Sequence, residues 1–374
     1  MKRKVLLILK YLYSLISLFF LSFYLKKKKK VLFISHDMSI SGAPLVLKKV
    51  IDKVKYEYDL FPVVLTLVPG EMCFTYIKEG IFPISCQFFN AYIKNRIINS
   101  EFEKIFVNTI ICIDWIDIFE NNKISYIWWI HEGHDYIDKF KEKLPKNVKY
   151  GKVLFVSAYS KEIMMDLGFS SQSDILPYFI SEDTHLYNKE KKSLNHTNES
   201  KKIIIIGSIC PRKNQLEVVE AFKHIQMYQK KDVELLIVGK PIDDAYYDKL
   251  LKYIGPIPNI KLVDYVPNNQ MWRIYKDAEV LVCCSTDDPL PVTVTEAFLY
   301  GCKAIVSSNC GQYHLISNKK NGLKYIQGDV DSLIEALLYA FDPMSNNILD
   351  GQFELYVDNF SEKTFDKRLM RLMQ

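Results

Sequence analysis

The chain has 374 residues, 49% of them hydrophobic and 25% charged, a balance typical of globular domains and not of disordered or fibrous chains. Its length predicts two domains, each large enough to bury its own core. The net charge of +5 is local, because nine Lys or Arg residues and no acid lie within residues 1–30, and this argues against a nucleic-acid-binding surface.

The first predicted element is an apolar helix at residues 5–25, flanked by basic residues at 2–4 and 26–30. Its length is just sufficient to span a bilayer, and no small-residue cleavage site follows it. We favour a spanning or interfacial anchor, with the body on the cytoplasmic face because lysines are retained on that side. A soluble helix packed on the body and an extension from a misplaced start codon are the alternatives.

Short apolar strands alternate with helices from residue 31 onward, which predicts an α/β fold with a doubly wound parallel sheet. Strands are expected at 31–35, 61–67, 104–107, 125–130 and from 153, with helices at 45–54 and 161–167 and a turn at 41–44. Trp128 and Trp129 lie on one of these strands and are expected in the core.

A polar segment without apolar periodicity at residues 181–202 predicts an interdomain linker. A second α/β series follows, with strands at 203–206, 234–238, 260–263, 280–283 and 304–307 and helices at 215–229, 245–253, 269–276, 291–300 and 330–340. The domain prediction is an anchor (1–30), a first Rossmann-like domain (31–180), the linker, a second Rossmann-like domain (203–360) and a C-terminal helix (361–374) that can pack back on the first domain.

Two acids, Asp288 and Glu296, lie eight positions apart between two apolar strands. If Asp288 opens the helix 291–300, the carboxylates stand about 12 Å apart at ~1.5 Å per residue. That is too far for an acid–base pair on one bond, but it suits two groups of one elongated ligand, such as hydroxyls on either side of a diphosphate. The alternative is a helix cap at Asp288 and a solvated helix residue at Glu296.

A glycine and two cations join the strand 203–206 to the next helix: Gly207, Arg212 and Lys213. Glycine allows close approach of the backbone to a ligand, and the free N–H groups at a helix start favour anions. The loop therefore predicts a phosphate site in which Lys213 stabilises charge on a departing phosphate. A solvated surface pair is the alternative.

The eight cysteines include no CxxC pair and no zinc spacing. Several lie in apolar strands, where cysteine behaves as a small hydrophobe, and this favours a reducing compartment. The acid pairs at 243–244 and 287–288 are interpreted as loop acids, so no metal site is predicted.

These motifs together resemble family 4 retaining glycosyltransferases (glycosyl transferases group 1), which have the GT-B fold of two Rossmann-like domains facing across a cleft. Gly207 with residues 211–215 resembles the family's donor-phosphate loop. Asp288 and Glu296 correspond to its pair of glutamates, with Asp in place of the first. Residues 41–47 resemble the acceptor-side glycine loop, and residues 128–132 resemble the strand end that carries a cleft histidine.

The resemblance implies a metal-independent transfer of a sugar from a nucleotide-diphosphate sugar to an acceptor hydroxyl, with retained anomeric configuration and no cofactor. Glu296 would hold the ribose, Asp288 the transferred sugar, and Lys213 with Arg212 the departing diphosphate. The remaining implied site residues are His131 beside the transferred sugar and backbone contacts at Gly42, Ala43, Gly207 and Gly311. The implied partners are the donor, a glycan or lipid-linked acceptor and a membrane surface.

Three positions depart from the family pattern: Ser208, Gln312 and His314. They lie near the expected donor pocket and leave the donor sugar undetermined. They also leave two alternatives, a catalytically inactive GT-B module that binds sugar or nucleotide as a scaffold, and a sugar-nucleotide epimerase or phosphorylase of the same fold.

Overall fold

The structure, a computed structural model, describes residues 2–181, 201–229, 233–257 and 259–374. The chain divides into two compact units: unit 1 contains residues 1–156 and 160–176, and unit 2 contains residues 157–159 and 177–372. Most of the predicted linker, residues 182–200, lies outside the described residues.

Residues 2–176 form a parallel sheet with intervening helices. The strands are β1 (Lys30–Asp37), β2 (Phe61–Val68), β3 (Ile84–Ser85), β4 (Lys104–Asn108), β5 (Tyr126–Ile130), β6 (Gly151–Phe155) and β7 (Ser173–Ile175). The helices are α1 (Lys2–Tyr24), α2 (Gly42–Tyr56), α3 (Met72–Lys78), α4 (Asn90–Ile98), α5 (Ile113–Asn121), α6 (His134–Phe140) and α7 (Ala158–Asp166). The order β3-β2-β1-β4-β5-β6-β7 reverses direction beside β1, so the loops that follow β1 and β4 meet at a topological switch point.

The core of unit 1 confirms the prediction for the tryptophans. Trp128 and Trp129 are fully buried, and their indole N–H groups donate to the carbonyl oxygens of Thr109 (3.1 Å) and Leu176 (3.0 Å). Burial on both faces explains why β5 is apolar throughout, as expected for a central parallel strand.

Helix α1 has two properties that point in different directions. By length and composition, Val5–Tyr24 could cross a membrane. Its C-terminal half, however, packs on unit 1, since Leu21 and Tyr24 are buried within that unit's hydrophobic core. The N-terminal segment is therefore packed on the rest of unit 1 along part of its length.

The described residues of unit 2 form a second parallel sheet in the order β10-β9-β8-β11-β12-β13. The strands are β8 (Lys201–Ile206), β9 (Val233–Val238), β10 (Ile260–Val263), β11 (Val280–Cys283), β12 (Lys303–Ser307) and β13 (Leu323–Tyr325). The helices are α8 (Gln215–Gln229), α9 (Asp244–Ile254), α10 (Met271–Lys276), α11 (Val292–Tyr300), α12 (Val330–Ala340), α13 (Ile348–Asn359) and α14 (Glu362–Met373). The loops after β8 and β11 are neighbours at the switch point, as the loops after β1 and β4 are in unit 1.

The helix predicted at 291–300 is confirmed as α11 (Val292–Tyr300), but two finer expectations near the site are wrong. Asp288 does not open a helix, because α11 begins at Val292 with Pro291 at its N-cap. The ~12 Å separation derived from a shared helix therefore does not apply to Asp288 and Glu296. The predicted turn at 41–44 is also helical, since α2 begins at Gly42.

The helix predicted at 215–229 is confirmed as α8, and the loop before it has a structure of its own. Arg212 and Lys213 lie on a separate 3-10 turn, Pro211–Lys213, and Asn214 follows in the left-handed conformation (φ 49°). This residue reverses the chain before α8 begins at Gln215. The short elements β3, β7 and β13 and helices such as α3 and α6 were not predicted, because fewer than two turns of helix give too little periodicity to recognise.

The predicted C-terminal helix is present as α14. Its buried residues Phe365, Leu369 and Leu372 recur every three or four positions, as expected for one apolar face. Residues up to Leu372 belong to unit 2, where the ring of Phe365 lies 4.9 Å from that of Phe179.

Candidate functional site

An ion pair between Lys213 and Asp288 lies at the carboxyl edge of the unit 2 sheet. The two side chains are 17% and 12% exposed, and Lys213 Nζ lies 2.5 Å from Asp288 Oδ2. Burial disfavours the charged ammonium, but the Asp288 carboxylate outweighs burial and raises the pKa of Lys213. Lys213 is therefore a fixed cation at neutral pH, and the alternative of a solvated surface lysine is wrong.

Arg212 converges on the same carboxylate from the solvent side. Its Nη1 donates to the carbonyl oxygen of Asp287 at 2.8 Å and lies 3.5 Å from Asp288 Oδ2. The Arg212 side chain is 42% exposed. The turn thus presents one buried and one accessible cation, an arrangement suited to an anion with several oxygens.

Glycines at the ends of β8 and β9 allow this loop to lie close to the sheet. Gly207 has φ +149°, and a Cβ there would lie 3.4 Å from Lys213 Cε. A Cβ on Gly239 would lie only 1.9 Å from the carbonyl oxygen of Gly207. A side chain at Gly239 would therefore displace the loop that carries Lys213.

Backbone pairing fixes Asp288. Its N–H donates to the carbonyl oxygen of Asn309, and its own carbonyl oxygen accepts from the N–H of Gly311, both at 3.0 Å. A Cβ on Gly311 would lie 1.8 Å from the carbonyl oxygen of Pro289. Because its N–H is already used, Gly311 acts in this structure by positioning Asp288.

Gln312 clamps the start of α11. Its side chain is fully buried, and Nε2 donates to the carbonyl oxygen of Pro291 (2.8 Å) and to Thr295 Oγ1 (3.1 Å). Where the resembled family has a second glycine, the side chain of Gln312 therefore holds the start of α11 by hydrogen bonds. Ser208 and His314, the other two departures, are exposed.

Glu296 lies on α11 and is held by a tyrosine that sequence analysis missed. Tyr275 is fully buried at 0% exposure, and its hydroxyl donates to Glu296 Oε2 at 2.6 Å. Burial and the neighbouring carboxylate raise the pKa of Tyr275, so the hydroxyl remains a donor. The alternative of a solvated helix residue at Glu296 is therefore wrong, and so is that of a helix cap at Asp288.

Two thiols lie beside the ion pair, with Cys283 Sγ and Cys310 Sγ 3.5 Å apart. All eight cysteines are free and buried, which confirms that they serve as small hydrophobes. Within the described ranges, no group of three or more His, Cys, Asp or Glu side chains is arranged to hold a metal ion.

Unit 1 has a separate polar cluster where β1, β4 and β5 end. Thr109 Oγ1 lies 3.3 Å from His36 Nδ1, and His36 Nε2 lies 3.4 Å from Asp37 Oδ1. Glu132 Oε2 accepts from the N–H groups of Ile110 (3.1 Å) and His131 (2.9 Å). Of these, Thr109 was not singled out from the sequence, and its φ of +78° marks a strained backbone that packing must hold in place.

His131 is the strand-end histidine that the sequence predicted. Burial, reinforced by neighbouring His36, lowers the pKa of His131 to about 3, so its ring is neutral at pH 7. Its Nε2 is buried and makes no hydrogen bond to the part of the chain that is described. Asn108 Oδ1 is also buried and has no hydrogen-bond partner among the described residues. Buried polar atoms without a partner are rare, so these two atoms mark the cluster as a candidate site.

Gly42 and Ala43 form the first turn of α2. The first intrahelical bond of α2 runs from Leu45 N to Ser41 O (3.1 Å), so the N–H groups of Gly42 and Ala43 precede the helical ladder. A Cβ on Gly42 would meet no atom within 4 Å. The space beside this helix start is open, which is compatible with a ligand at the two N–H groups.

Comparison with known proteins shows similarity to glycosyltransferases. Residues 187–343 match the family model described as glycosyl transferases group 1. The chain is 23% identical over 181 residues to a glycosyltransferase of Methanocaldococcus jannaschii, covering 46% of each chain. It is 29% identical over 163 residues to the UDP-Gal:alpha-D-GlcNAc-diphosphoundecaprenol alpha-1,3-galactosyltransferase of Escherichia coli, covering 43% of this chain and 41% of that protein. These alignments span less than half the length of either relative.

The solved structures extend the likeness to nearly the whole chain. Anabaena HepE in complex with UDP and glucose has a TM-score of 0.69, at 14% identity, and the match covers 92% of this chain and 99% of HepE. At this identity the likeness shows the fold, which is that of the GT-B glycosyltransferases. The family model matches less than half of the chain, and the solved structures share its fold.

Proposed function

We propose that this protein is a retaining, metal-independent glycosyltransferase of family 4 that moves a sugar from a nucleotide-diphosphate sugar to an acceptor hydroxyl. The observation that carries the proposal is the buried Lys213–Asp288 pair, 2.5 Å between Nζ and Oδ2. A buried cation at a strand end is suited to the diphosphate, because an environment with little water strengthens its attraction for the departing charge.

Each of the charged groups is proposed to bind a different part of the donor. Lys213 and Arg212 neutralise the diphosphate, and the carboxylate of Glu296, braced by Tyr275 at 2.6 Å, accepts hydrogen bonds from the ribose hydroxyls. Asp288 binds a hydroxyl of the transferred sugar while keeping Lys213 in place. A uridine diphosphate donor is the first choice, since HepE is seen with UDP and glucose and the E. coli relative is named for UDP-Gal.

The reaction exchanges two bonds at the anomeric carbon. The bond to the diphosphate oxygen breaks, and the acceptor oxygen bonds to the same face, so the configuration is retained. The acceptor hydroxyl's proton passes to the departing phosphate oxygen, which Lys213 stabilises. His131, neutral at pH 7 with a pKa of about 3, hydrogen-bonds the transferred sugar, and the first turn of α2 at Gly42 and Ala43 contacts the donor phosphate or the acceptor.

The acceptor proposed here is a lipid-linked oligosaccharide or a cell-surface polysaccharide precursor. The E. coli relative is named for a diphosphoundecaprenol-linked acceptor, and the apolar helix α1 provides a means of reaching a membrane. The basic residues that flank α1 and the eight free cysteines favour the cytoplasmic face.

A panel of UDP-sugars tested with a lipid-diphosphate-linked GlcNAc acceptor is the direct test. We expect one donor to give an α-linked product from its α-linked sugar, read by NMR of the new anomeric proton. Glu296→Ala should raise the KM for that donor at least tenfold, whereas Glu335→Ala, an exposed glutamate on α12, should not. A β-linked product would overturn retention, and unchanged kinetics in Glu296→Ala would overturn the donor site.

A further inference from the structure

Helix α1 closes the edge of the unit 1 sheet. β3 is the edge strand, and edge strands leave unpaired backbone groups. Ser17 Oγ accepts from the N–H of Ser85 (3.2 Å), Tyr24 OH accepts from the N–H of Phe82 (2.7 Å), and Tyr13 OH donates to the carbonyl oxygen of Pro83 (2.8 Å). Hydroxyls on one face of α1 therefore take the place of a neighbouring strand.

Aromatic packing holds the same face of the helix against the body. The rings of Phe20 and Phe82 are stacked with centroids 4.5 Å apart, and the ring of Tyr13 stacks on Phe82 at 5.0 Å. Ser14 and Ser17 are fully buried between these contacts. The helix is thus fixed along its C-terminal half by both hydrogen bonds and ring packing.

A transmembrane position is incompatible with these contacts. Crossing a bilayer would require the whole of Val5–Tyr24, so the hydroxyls of Tyr13, Ser17 and Tyr24 would lose their partners at residues 82–85. Ser14 and Ser17 would keep only their bonds to the carbonyl oxygens of Lys10 and Tyr13 within the helix. The backbone groups at residues 82–85 would lose theirs as well. Unpaired polar groups in an apolar medium are costly, whereas a helix that lies along the membrane surface keeps every one of these bonds.

The face of α1 opposite its hydroxyls carries a continuous apolar stripe, formed by Val5, Ile8, Leu12, Leu15, Ile16, Phe19 and Phe23, with exposures from 41% to 72%. The spacing of three or four residues places them along one side of the helix. In the first turns, Leu6, Leu7 and Leu9 on the other sides are also exposed, at 55–57%. Basic residues 2–4 precede the stripe and the exposed Lys26 to Lys29 follow it. An apolar stripe between basic ends matches the interface of a bilayer with anionic headgroups.

We propose that α1 is an in-plane membrane helix, docked on β3 by its hydroxyl face and inserted into an anionic bilayer surface by its apolar stripe, and that it does not cross the membrane. The inference deepens the membrane association in the proposed function and decides between its spanning and interfacial forms. It does not depend on sugar transfer.

Depth measurement with single cysteines tests the orientation. Ile8→Cys and Phe19→Cys, each carrying a nitroxide, would be compared in vesicles of phosphatidylcholine with one-quarter phosphatidylglycerol, using the full chain. The native cysteines are all buried, so labelling is directed to the new site. We expect equal shallow depths, because both residues lie on the stripe. A spanning helix would separate the two labels by roughly 16 Å along the membrane normal, and that result would overturn the proposal.

A matched pair of charge substitutions tests whether the apolar stripe of α1 binds the membrane. Phe19→Asp and Met344→Asp replace apolar side chains of nearly equal exposure, 72% and 73%. We expect the first to weaken vesicle binding at least tenfold and the second to leave it unchanged, with thermal unfolding of both near that of the wild type. Equal binding to purely zwitterionic vesicles, or a dimer in place of vesicle binding, would overturn the proposal. A Lys213→Ala variant should bind vesicles normally, which separates this test from that of the catalytic site.

Discussion

The carboxyl edges of the two sheets are built from different chemistry. In unit 2 the edge carries charge, with Lys213 and Arg212 both directed at Asp288. In unit 1 the edge carries the carboxyl groups of Asp37 and Glu132, but its unpaired atoms are neutral. His131 is uncharged at pH 7 because its pKa is about 3, and the buried Asn108 Oδ1 is unpaired among the described residues.

The difference indicates what each edge is prepared to bind. A phosphate that bound Lys213 and Arg212 together while Lys213 kept Asp288 as its partner would leave neither buried charge unpaired. A buried amide oxygen or imidazole nitrogen needs a hydroxyl or an N–H as its partner. The chemistry of each edge, taken by itself, favours an anion in unit 2 and a hydroxyl or N–H in unit 1.

The largest expected effect comes from removing the buried cation. Lys213→Ala should lower kcat about 10³-fold, because a group that stabilises developing charge in a water-poor site is lost. It should also cost roughly 2 kcal/mol of stability, since Asp288 keeps only the more distant Arg212. Initial rates and denaturant unfolding would measure the two effects.

The control for this change is Lys261→Ala, which removes a lysine that is 62% exposed in a surface pair with Glu234. Surface pairs contribute about 0 to 1 kcal/mol, so rate and stability should stay close to those of the wild type. Activity of Lys213→Ala within a factor of ten of the wild type would contradict the charged role of the unit 2 edge.

The next effect is a pH dependence of stability from the unit 1 edge. Burial, only partly offset by the N–H groups of Ile110 and His131, raises the pKa of Glu132 from 4.5 to about 7. A raised carboxyl pKa favours the protonated folded state, so its contribution is fully present below pH 4.5 and is lost as the pH rises through 7. Glu132→Gln cannot ionise. As the pH rises through this range, its free energy of unfolding should therefore fall by up to about 3 kcal/mol less than that of the wild type.

Thermal unfolding of the wild type and Glu132→Gln at pH 4.5, 6 and 8 would show the effect. The glutamine oxygen can still accept from both backbone N–H groups, so the two proteins should differ chiefly in their pH dependence. If the stabilities of the wild type and Glu132→Gln changed in parallel with pH, Glu132 would be solvated and its pKa would not be raised.

A smaller effect is expected at His131. His131→Phe removes both ring nitrogens, and loss of a hydrogen bond to substrate of ~1 to 2 kcal/mol should lower kcat about 5- to 30-fold. Because the pKa of His131 is about 3, the ratio of wild-type to variant kcat should be constant from pH 5.5 to 8.5. A ratio that changes near pH 6.5 would show that His131 acts as a charged or titrating group.

Sequence patterns identified the charged edge more completely than the neutral one. Lys213 and Glu296 stand out because glycine, cations and acids interrupt apolar strands at fixed spacings. Tyr275 does not, since a tyrosine in a short helix is indistinguishable from core packing until the fold brings its hydroxyl to Glu296. Thr109 meets His36, 73 positions away, only because β1 and β4 are neighbours in the sheet.

The N-terminal segment shows a similar limit. The apolar run and basic flanks of residues 1–30 predict membrane contact from composition alone. They do not reveal that Ser17 and Tyr24 pair with the backbone of an edge strand, because the strand β3 has two residues and leaves no alternating pattern. The predicted helix starts after Asn214 and near Pro291 are confirmed to within one residue, whereas the start of α2 at Gly42 lies three residues before the predicted one.

The smallest effect separates a positioning residue from a merely structural one. Tyr275→Phe removes the hydroxyl that donates to Glu296 at 2.6 Å, at a cost of about 1 kcal/mol. If Tyr275 positions Glu296 for the ribose, the KM for the donor should rise about five- to tenfold, the factor that this energy represents, with kcat nearly unchanged. Tyr265→Phe, at a tyrosine that is 62% exposed, is the matched control.

Calorimetry with two nucleotides makes the distinction sharper. Tyr275→Phe should weaken binding of UDP but leave binding of 2′,3′-dideoxyuridine diphosphate unchanged, because the second ligand lacks the hydroxyls that Glu296 would bind. A general loosening of the fold would weaken both ligands equally. Equal weakening would therefore assign Tyr275 to packing alone and remove Glu296 from the ribose site, whereas a loss confined to UDP would connect a buried hydroxyl on α10 to donor recognition on α11.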